Sequence, residues 1–239
     1  MSYEINDLGK LLSGNAYGGR GIILGTSPNG RYATCAYFIM GRSENSRNRV
    51  FIEEDGGLVI HPFDESKVED PSLIIYWPIR ALKNKLIVTN GDQTDTVRDY
   101  LVKGKSFEEA LETREFEPDA PNFTPRISGL MEFAAGSFSY KLSILKSGDS
   151  QGRVCNRFFY SYKPVAGLGH YIHTYMKDGN PLPTFQGEPE RVSQMDDIKE
   201  YGDLIWRNLN QDNKIALYVR YVDLKTGREE NLMFNKNVK

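Results

Sequence analysis

Residues 21–40 read GIILGTSPNGRYATCAYFIM, two apolar β-rich runs on either side of an Asn29-Gly30 step. Asn and Gly accept the positive φ angles of a tight hairpin turn, so GIILGTS (21–27) and YATCAYFIM (32–40) are expected to pair as antiparallel strands. YATCAYFIM and VFIEEDG, the runs on either side of residues 41–49, read as buried strands. The pattern recurs in RVFIEED and LVIHPF, joined through Gly56-Gly57, and in SLIIYWPI and KLIVTNG, where Pro78 suggests an edge or a strand end.

The period then changes. TDTVRDYLVKG and SFEEALETREF read as helices, the second opened by Ser106 with Glu109 three residues on, which is a capping box. From Arg126, RISGLMEF, SFSYKLSILKSG, RVCNRFFYSYKP and GHYIHTYM resume the strand signal and suggest a second sheet. NPLPTFQGEPERV is too rich in Pro and Gly for a regular element. MDDIKEYGDLIWRNL reads as an amphipathic helix with Ile198, Leu204, Ile205 and Leu209 near one face, and KIALYVRYVDL and EENLMFN close the chain as a hairpin. Many strands with a few grouped helices imply a layered α+β fold. With 239 residues and no linker or repeat, one domain spanning 1–239 is expected.

Thirty basic residues against thirty-two acidic ones give a formal net charge of -2, too little cationic field to hold a polyanion, so no nucleic-acid partner is expected. Cys35 and Cys155 lie far apart within strand-like runs and outside any CxxC spacing, which favours reduced core thiols. No leader-like or membrane-spanning apolar segment stands out. A soluble, cytoplasmic protein without a membrane partner is the expectation.

Three polar segments could carry chemistry. GRSENSRNR (41–49) packs Arg42, Arg47 and Arg49 between two strand-like runs; it reads as a solvated loop or as an anion grip, since guanidinium forks match phosphate geometry. TNGDQTD (89–95) leaves a strand and enters a helix at a glycine. Its carboxylates Asp92 and Asp95 would repel a phosphate, yet they suit sugar hydroxyls or an amide, unless the segment serves only as a helix cap. EFEPDAPNFTPRISG (115–129) is a proline-stiffened loop with Glu115, Glu117, Asp119 and Arg126, whose charges could be catalytic or merely paired with one another. Tyr76, near a strand end, is either a core aromatic or a proton donor. His170 and His173 fall on opposite faces of a strand, and with three histidines in the chain no metal site is expected. Phosphate-loop, dinucleotide and nucleophile-elbow motifs are absent.

Taken in order, GRSENSRNR, LIIYWPIR, NGDQTD, EPDAPNFTPRISG and GHYIHTY resemble the archaeal-type IMP cyclohydrolase family and its bacterial relatives. The resemblance implies a four-layer αββα sandwich like that of N-terminal-nucleophile hydrolases, with two mainly antiparallel sheets. It implies an enzyme, formally classed with hydrolases of cyclic amidines, that closes 5-formamidoimidazole-4-carboxamide ribotide to inosine 5'-monophosphate with loss of water in purine biosynthesis. A ribotide-binding or sensor paralogue without turnover is the alternative. Ser2, about eighteen residues before the first strand, is badly placed to be an N-terminal nucleophile.

By the same resemblance, Arg42 is nearest the reaction centre or the phosphate, and Ser43, Asn45, Arg47, Asn48 and Arg49 are ligands or supports. Tyr76 would stabilise the oxyanion or pass a proton, and Glu117 would take a proton from the carboxamide nitrogen or orient it. Asn90, Asp92, Thr94 and Asp95 would hold the ribose or the base edge, while Thr124 and Arg126 complete the pocket. No metal or organic cofactor is needed for proton transfer and dehydration, and a homo-oligomer is implied. The chain departs from the archaeal pattern in a longer arginine loop, in Gln93 where a histidine is common, and in Trp77-Pro78 after the tyrosine.

Overall fold

The computed structural model describes residues 3–68 and 75–238. Thirteen strands and five α-helices follow one another in these segments. The strands are β1 (Arg20–Thr26), β2 (Tyr32–Met40), β3 (Val50–Glu54), β4 (Gly57–His61), β5 (Ile79–Leu82), β6 (Lys85–Thr89), β7 (Arg126–Ala134), β8 (Ser137–Ser147), β9 (Cys155–Tyr162), β10 (Leu168–His173), β11 (Glu190–Ser193), β12 (Lys214–Asp223) and β13 (Glu229–Asn235). The helices are α1 (Leu8–Ser13), α2 (Glu44–Arg47), α3 (Gln93–Val102), α4 (Phe107–Glu112) and α5 (Ile198–Asn208).

Two antiparallel sheets result, one ordered β11-β10-β1-β2-β12-β13 and the other β3-β4-β5-β6-β7-β8-β9. Side chains alternate across a strand, so each sheet has an inner and an outer face. Ile22, Leu24, Tyr37, Ile39 and Tyr218 of the first sheet meet Ile60, Val88, Met131 and Leu142 of the second in the central core. On the outer face of the first sheet, Ile23, Phe38, Leu217 and Val219 pack against Leu8 and Leu12 of α1 and Tyr201 and Ile205 of α5. On that of the second, Ile87, Leu130 and Leu145 pack against Val97 of α3 and Phe107 and Leu111 of α4. The layers are therefore α, β, β, α, and β1 and β2 carry apolar residues at nearly every position because both of their faces are covered.

The sheets do not divide the chain into an early and a late half, as the strand pattern suggested. The β1–β2 hairpin sits at the middle of a sheet completed by four C-terminal strands: β10 pairs with β1 through Gly21 and His173, and β12 pairs with β2. Of the strand expected over SLIIYWPI, 72–74 lie outside the described residues and 75–78 are irregular. Pro78 has no N–H to donate to a ladder, so the strand starts only at Ile79. Residues 190–193, overlapping the end of the Pro- and Gly-rich segment, form the short edge strand β11, and α1 and α2 also carried no periodic signal. The β3–β4 turn is centred on Asp55 and Gly56, with φ 47° and 71°, one residue earlier than expected. Ser106 and Glu109 do form the reciprocal cap of α4. Ser2 lies outside the described residues.

One end of the sandwich gathers the polar segments. β1 begins there at Arg20, β2 ends there before the arginine loop, β6 ends at Thr89, and β7 begins at Arg126. Gly19 is required at this edge: its φ is 75°, and a Cβ would lie 2.2 Å from Thr174 Oγ1 and 2.6 Å from the Tyr175 ring.

Candidate active site

A cleft of about 480 Å³ opens at that end. From the first sheet it takes Arg20, and from the loop after β2 it takes Ser43, Asn45, Ser46 and Arg49. Tyr76 reaches it from the segment before β5, Asn90, Gly91 and Asp92 from the turn between β6 and α3, and Glu117, Pro118, Asp119, Thr124 and Arg126 from the segment leading into β7. Segments far apart in the chain thus converge because they are ends of strands in two facing sheets.

The arginines divide by their partners. Arg42 does not line the cleft; its Nη1 donates to Asp178 Oδ1 at 2.6 Å and to Gly179 O at 2.8 Å, and its guanidinium lies over the Tyr17 ring. Arg47 is turned away as well, donating to Gly41 O at 3.1 Å and Asn213 Oδ1 at 3.3 Å. The structure therefore puts neither at the place expected of it, because each finds a neutralising or polar partner outside. Arg49, only 8% exposed, and the half-buried Arg20 differ: their Nε atoms are shielded from solvent and have no hydrogen-bond partner among the described residues. Burying a cation without a partner is costly, so this pair is suited to an anionic ligand.

Glu117 and Tyr76 lie in the field of these two cations. Burial pushes the Glu117 carboxyl above its ordinary range, against the opposing pull of Arg20 and Arg126, with Asp119 adding to the rise. Burial alone would lower Arg20, but Glu117 and then Tyr76 outweigh it and hold the guanidinium charge more firmly. Arg49 is lowered, first by burial and then by Arg20. Tyr76 is 8% exposed, and its hydroxyl lies 3.2 Å from that of Tyr37. A carboxyl tuned towards neutrality beside a phenol and two cations can move protons and stabilise a developing oxyanion.

The NGDQTD turn is built as a brace. Asn90 is spent on structure: Nδ2 donates to Pro125 O at 2.8 Å, while Oδ1 accepts from Ile127 N at 2.9 Å and Gln93 Nε2 at 3.0 Å. Gln93 in turn accepts from Arg126 Nη1 at 2.7 Å. Asp92 stands between Arg126 at 2.7 Å and Arg114 at 2.5 Å and remains over half exposed, so it can still accept from a ligand. Burial would raise its carboxyl, yet Arg114 and Arg126 bring it below the usual range. Thr94 and Asp95 do not reach the cleft. Thr94 is bonded to Thr89 at 2.6 Å, and Asp95 pairs with Arg80 and Arg98 on the outer side. Asn48 is also outside it, holding Asp64 through both of its side-chain ends. Thr124 lines the cleft, bonded to Asp119 and, at 2.6 Å, to the Tyr175 hydroxyl.

The cleft thus brings together Ser43, Asn45, Arg49, Tyr76, Asn90, Asp92, Glu117, Thr124 and Arg126, and leaves out Arg42, Arg47, Asn48, Thr94 and Asp95. Sequence reasoning passed over Arg20, Ser46, Gly91 and Pro118 as lining residues. For Arg20 a signal existed: it is a lone charge between glycines at the mouth of a wholly apolar strand, GGRGIILG.

A family model described as IMP cyclohydrolase-like protein matches residues 17–227. The IMP cyclohydrolase of Methanopyrus kandleri is 29% identical over 167 residues, covering 66% of this chain and 75% of that protein. The IMP cyclohydrolase of Haloquadratum walsbyi is 30% identical over 128 residues, covering 52% of this chain and 59% of that protein. The family match takes in every segment that lines the cleft, from β1 to the start of β7, and with it the chain belongs to the IMP cyclohydrolase-like family.

Proposed function

We propose that this protein is an IMP cyclohydrolase that closes 5-formamidoimidazole-4-carboxamide ribotide to inosine 5'-monophosphate and water. The observation that carries the reading is the pair of arginines without hydrogen-bond or ion-pair partners among the described residues, Arg20 and Arg49, beside a raised Glu117 carboxyl and the Tyr76 phenol in a chain of this family.

The reaction joins two groups on one molecule, and correct orientation of such groups is worth up to about 7–11 kcal/mol. Arg49, with Ser43, Asn45 and Ser46 around it, grips the phosphate, and Asp92 accepts from the ribose. Arg20 stays beside Glu117 and steadies the charge that develops there. Glu117 takes a proton from the carboxamide nitrogen as that nitrogen bonds to the formyl carbon, and Tyr76 gives its proton to the formyl oxygen. In the second half Glu117 returns its proton to the new hydroxyl, which leaves as water, and the former formamido N–H proton passes back to Tyr76. Both groups end as they began.

The reading includes a cytoplasmic location, supported by two free thiols, and a homo-oligomeric assembly, which rests on the family resemblance. Among the described residues no helix is long and apolar enough to cross a membrane. The test is to give purified protein the formamido ribotide and follow the ultraviolet absorbance of the product. Formation of inosine monophosphate is expected, whereas saturable ribotide binding without product would replace the enzyme with a sensor.

A further inference from the structure

We infer that Tyr37 is a positioning residue that aims the hydroxyl proton of Tyr76 into the cleft and supports the Tyr76 oxygen once that proton has left. The inference rests on the cyclohydrolase reading, in which Tyr76 is the proton donor. Tyr37 lies in β2 and is completely buried, its ring stacked on Phe51 with centroids 5.7 Å apart. Among the described residues its hydroxyl has one hydrogen-bond partner, the Tyr76 hydroxyl at 3.2 Å.

That isolation assigns the donor. A buried hydroxyl with no acceptor suffers the full cost of desolvation, so the Tyr37 proton must point at the Tyr76 oxygen. The reverse arrangement, with Tyr76 donating, would strand the Tyr37 proton inside the core. Tyr76 has an alternative that Tyr37 lacks, because it lines the cleft. With its oxygen already accepting from Tyr37, the remaining proton of Tyr76 faces the substrate.

The separation of 3.2 Å is long for a bond between two neutral hydroxyls. It becomes a charge-assisted bond when Tyr76 hands its proton to the formyl oxygen, and such bonds are shorter and stronger. Tyr37 therefore contributes more to the transition state than to the bound substrate. Burial, and then the nearness of Tyr76, pushes the Tyr37 phenol well above its ordinary value, so Tyr37 keeps its own proton throughout the cycle.

The test is a double-mutant cycle on ring closure with Tyr37→Phe, Tyr76→Phe and both together, beside the wild type. Tyr37→Phe is expected to lower kcat by about ten- to hundredfold with KM nearly unchanged, the range for a hydrogen bond to a charged group. The same change in the Tyr76→Phe background should lower it little further. Equal losses in both backgrounds, or an unchanged kcat in Tyr37→Phe, would overturn the role. A wild type that makes no product would instead count against the cyclohydrolase reading itself.

Thermal unfolding gives a readout independent of turnover, and it also decides the matter if Tyr37→Phe proves too unstable to assay. Tyr76→Phe should lower the melting temperature by stranding the Tyr37 proton, and the double variant should recover most of that loss. No recovery would mean that Tyr37 donates elsewhere, and the inference would fall.

Discussion

Arg126 Nη1 donates to Gln93 Oε1 at 2.7 Å, and the two groups meet over Gly91 with no room for a side chain between them. A Cβ on Gly91 would lie 2.5 Å from Arg126 Nη1 and 2.7 Å from Gln93 Oε1. The guanidinium would have to leave its place beside Asp92. Misplacing a positioning group by about 1 Å can cost on the order of a hundredfold in rate. Gly91→Ala is therefore expected to lower kcat/KM by about ten- to hundredfold in a steady-state assay, and an unchanged value would show that Arg126 is not needed where it stands.

Arg20 and Arg49 should behave unlike Arg42 and Arg47. Arg49→Ala is expected to raise KM far more than it lowers kcat, because the lost interaction is with the part of the substrate that does not react. Arg42→Ala breaks a partly exposed pair with Asp178, worth about 0–1 kcal/mol, and should leave KM within a few-fold of wild type. Arg49→Met is expected to stabilise the unliganded protein by about 1 kcal/mol, roughly 2–4 °C in melting temperature, by removing an unpaired buried cation. Calorimetric scans of the three variants beside ribotide titrations separate these effects.

Glu117 couples activity to stability through pH. Its carboxyl is raised above its ordinary value of 4.5, so the folded state holds the proton more tightly than the unfolded chain does. Stability is then lost as pH rises from 4.5 through the folded value, where the buried group must ionise. Glu117→Gln should melt higher than wild type at pH 7 and no higher below pH 4. Unfolding curves of both proteins across that range check the sign.

His170 provides a second pH dependence, away from the cleft. Its ring stacks on Tyr162 with centroids 3.6 Å apart, and its Nδ1 lies 2.7 Å from the Tyr140 hydroxyl. Burial, with a smaller push from Arg191, lowers it from 6.5 to about 4. Between those values the unfolded chain binds a proton that the folded protein refuses, so stability should fall as pH drops from 6.5 to about 4 and then flatten on this group's account. In His170→Asn, which keeps an acceptor within reach of Tyr140, that part of the acid slope should be missing from urea unfolding measured at successive pH values.

Local chemistry was readable in the sequence wherever neighbours in the chain decide the outcome. The β1–β2 turn needed only neighbouring residues, with Gly30 at φ 70° and its N–H bonded to Ser27 O, although Asn29 does not take the positive φ expected of it; the Ser106 cap needed only Glu109. Pairing between remote segments was not readable: nothing in GHYIHTY announces that β10 will lie against β1 rather than against the strands before it. The arginine loop failed for the same reason. Three guanidiniums within eight residues look alike until their partners are known, and the Asp178 carboxylate that neutralises Arg42 and the Asn213 amide that accepts from Arg47 lie 136 and 166 residues further on. Among the described residues, what remains without a protein partner is Arg49, joined by Arg20 from the start of β1, and only the three-dimensional arrangement separates these two from the rest.

The central claim is that this cleft both grips a purine ribotide and closes its second ring, and single-turnover ring closure by the wild type beside Glu117→Gln tests it most directly. Expected is inosine monophosphate from the wild type, and from Glu117→Gln comparable ribotide binding with closure about a hundred- to ten-thousand-fold slower, the usual worth of general acid–base help. A wild type that forms no product at saturating ribotide, or a Glu117→Gln protein that closes the ring as fast, would contradict it.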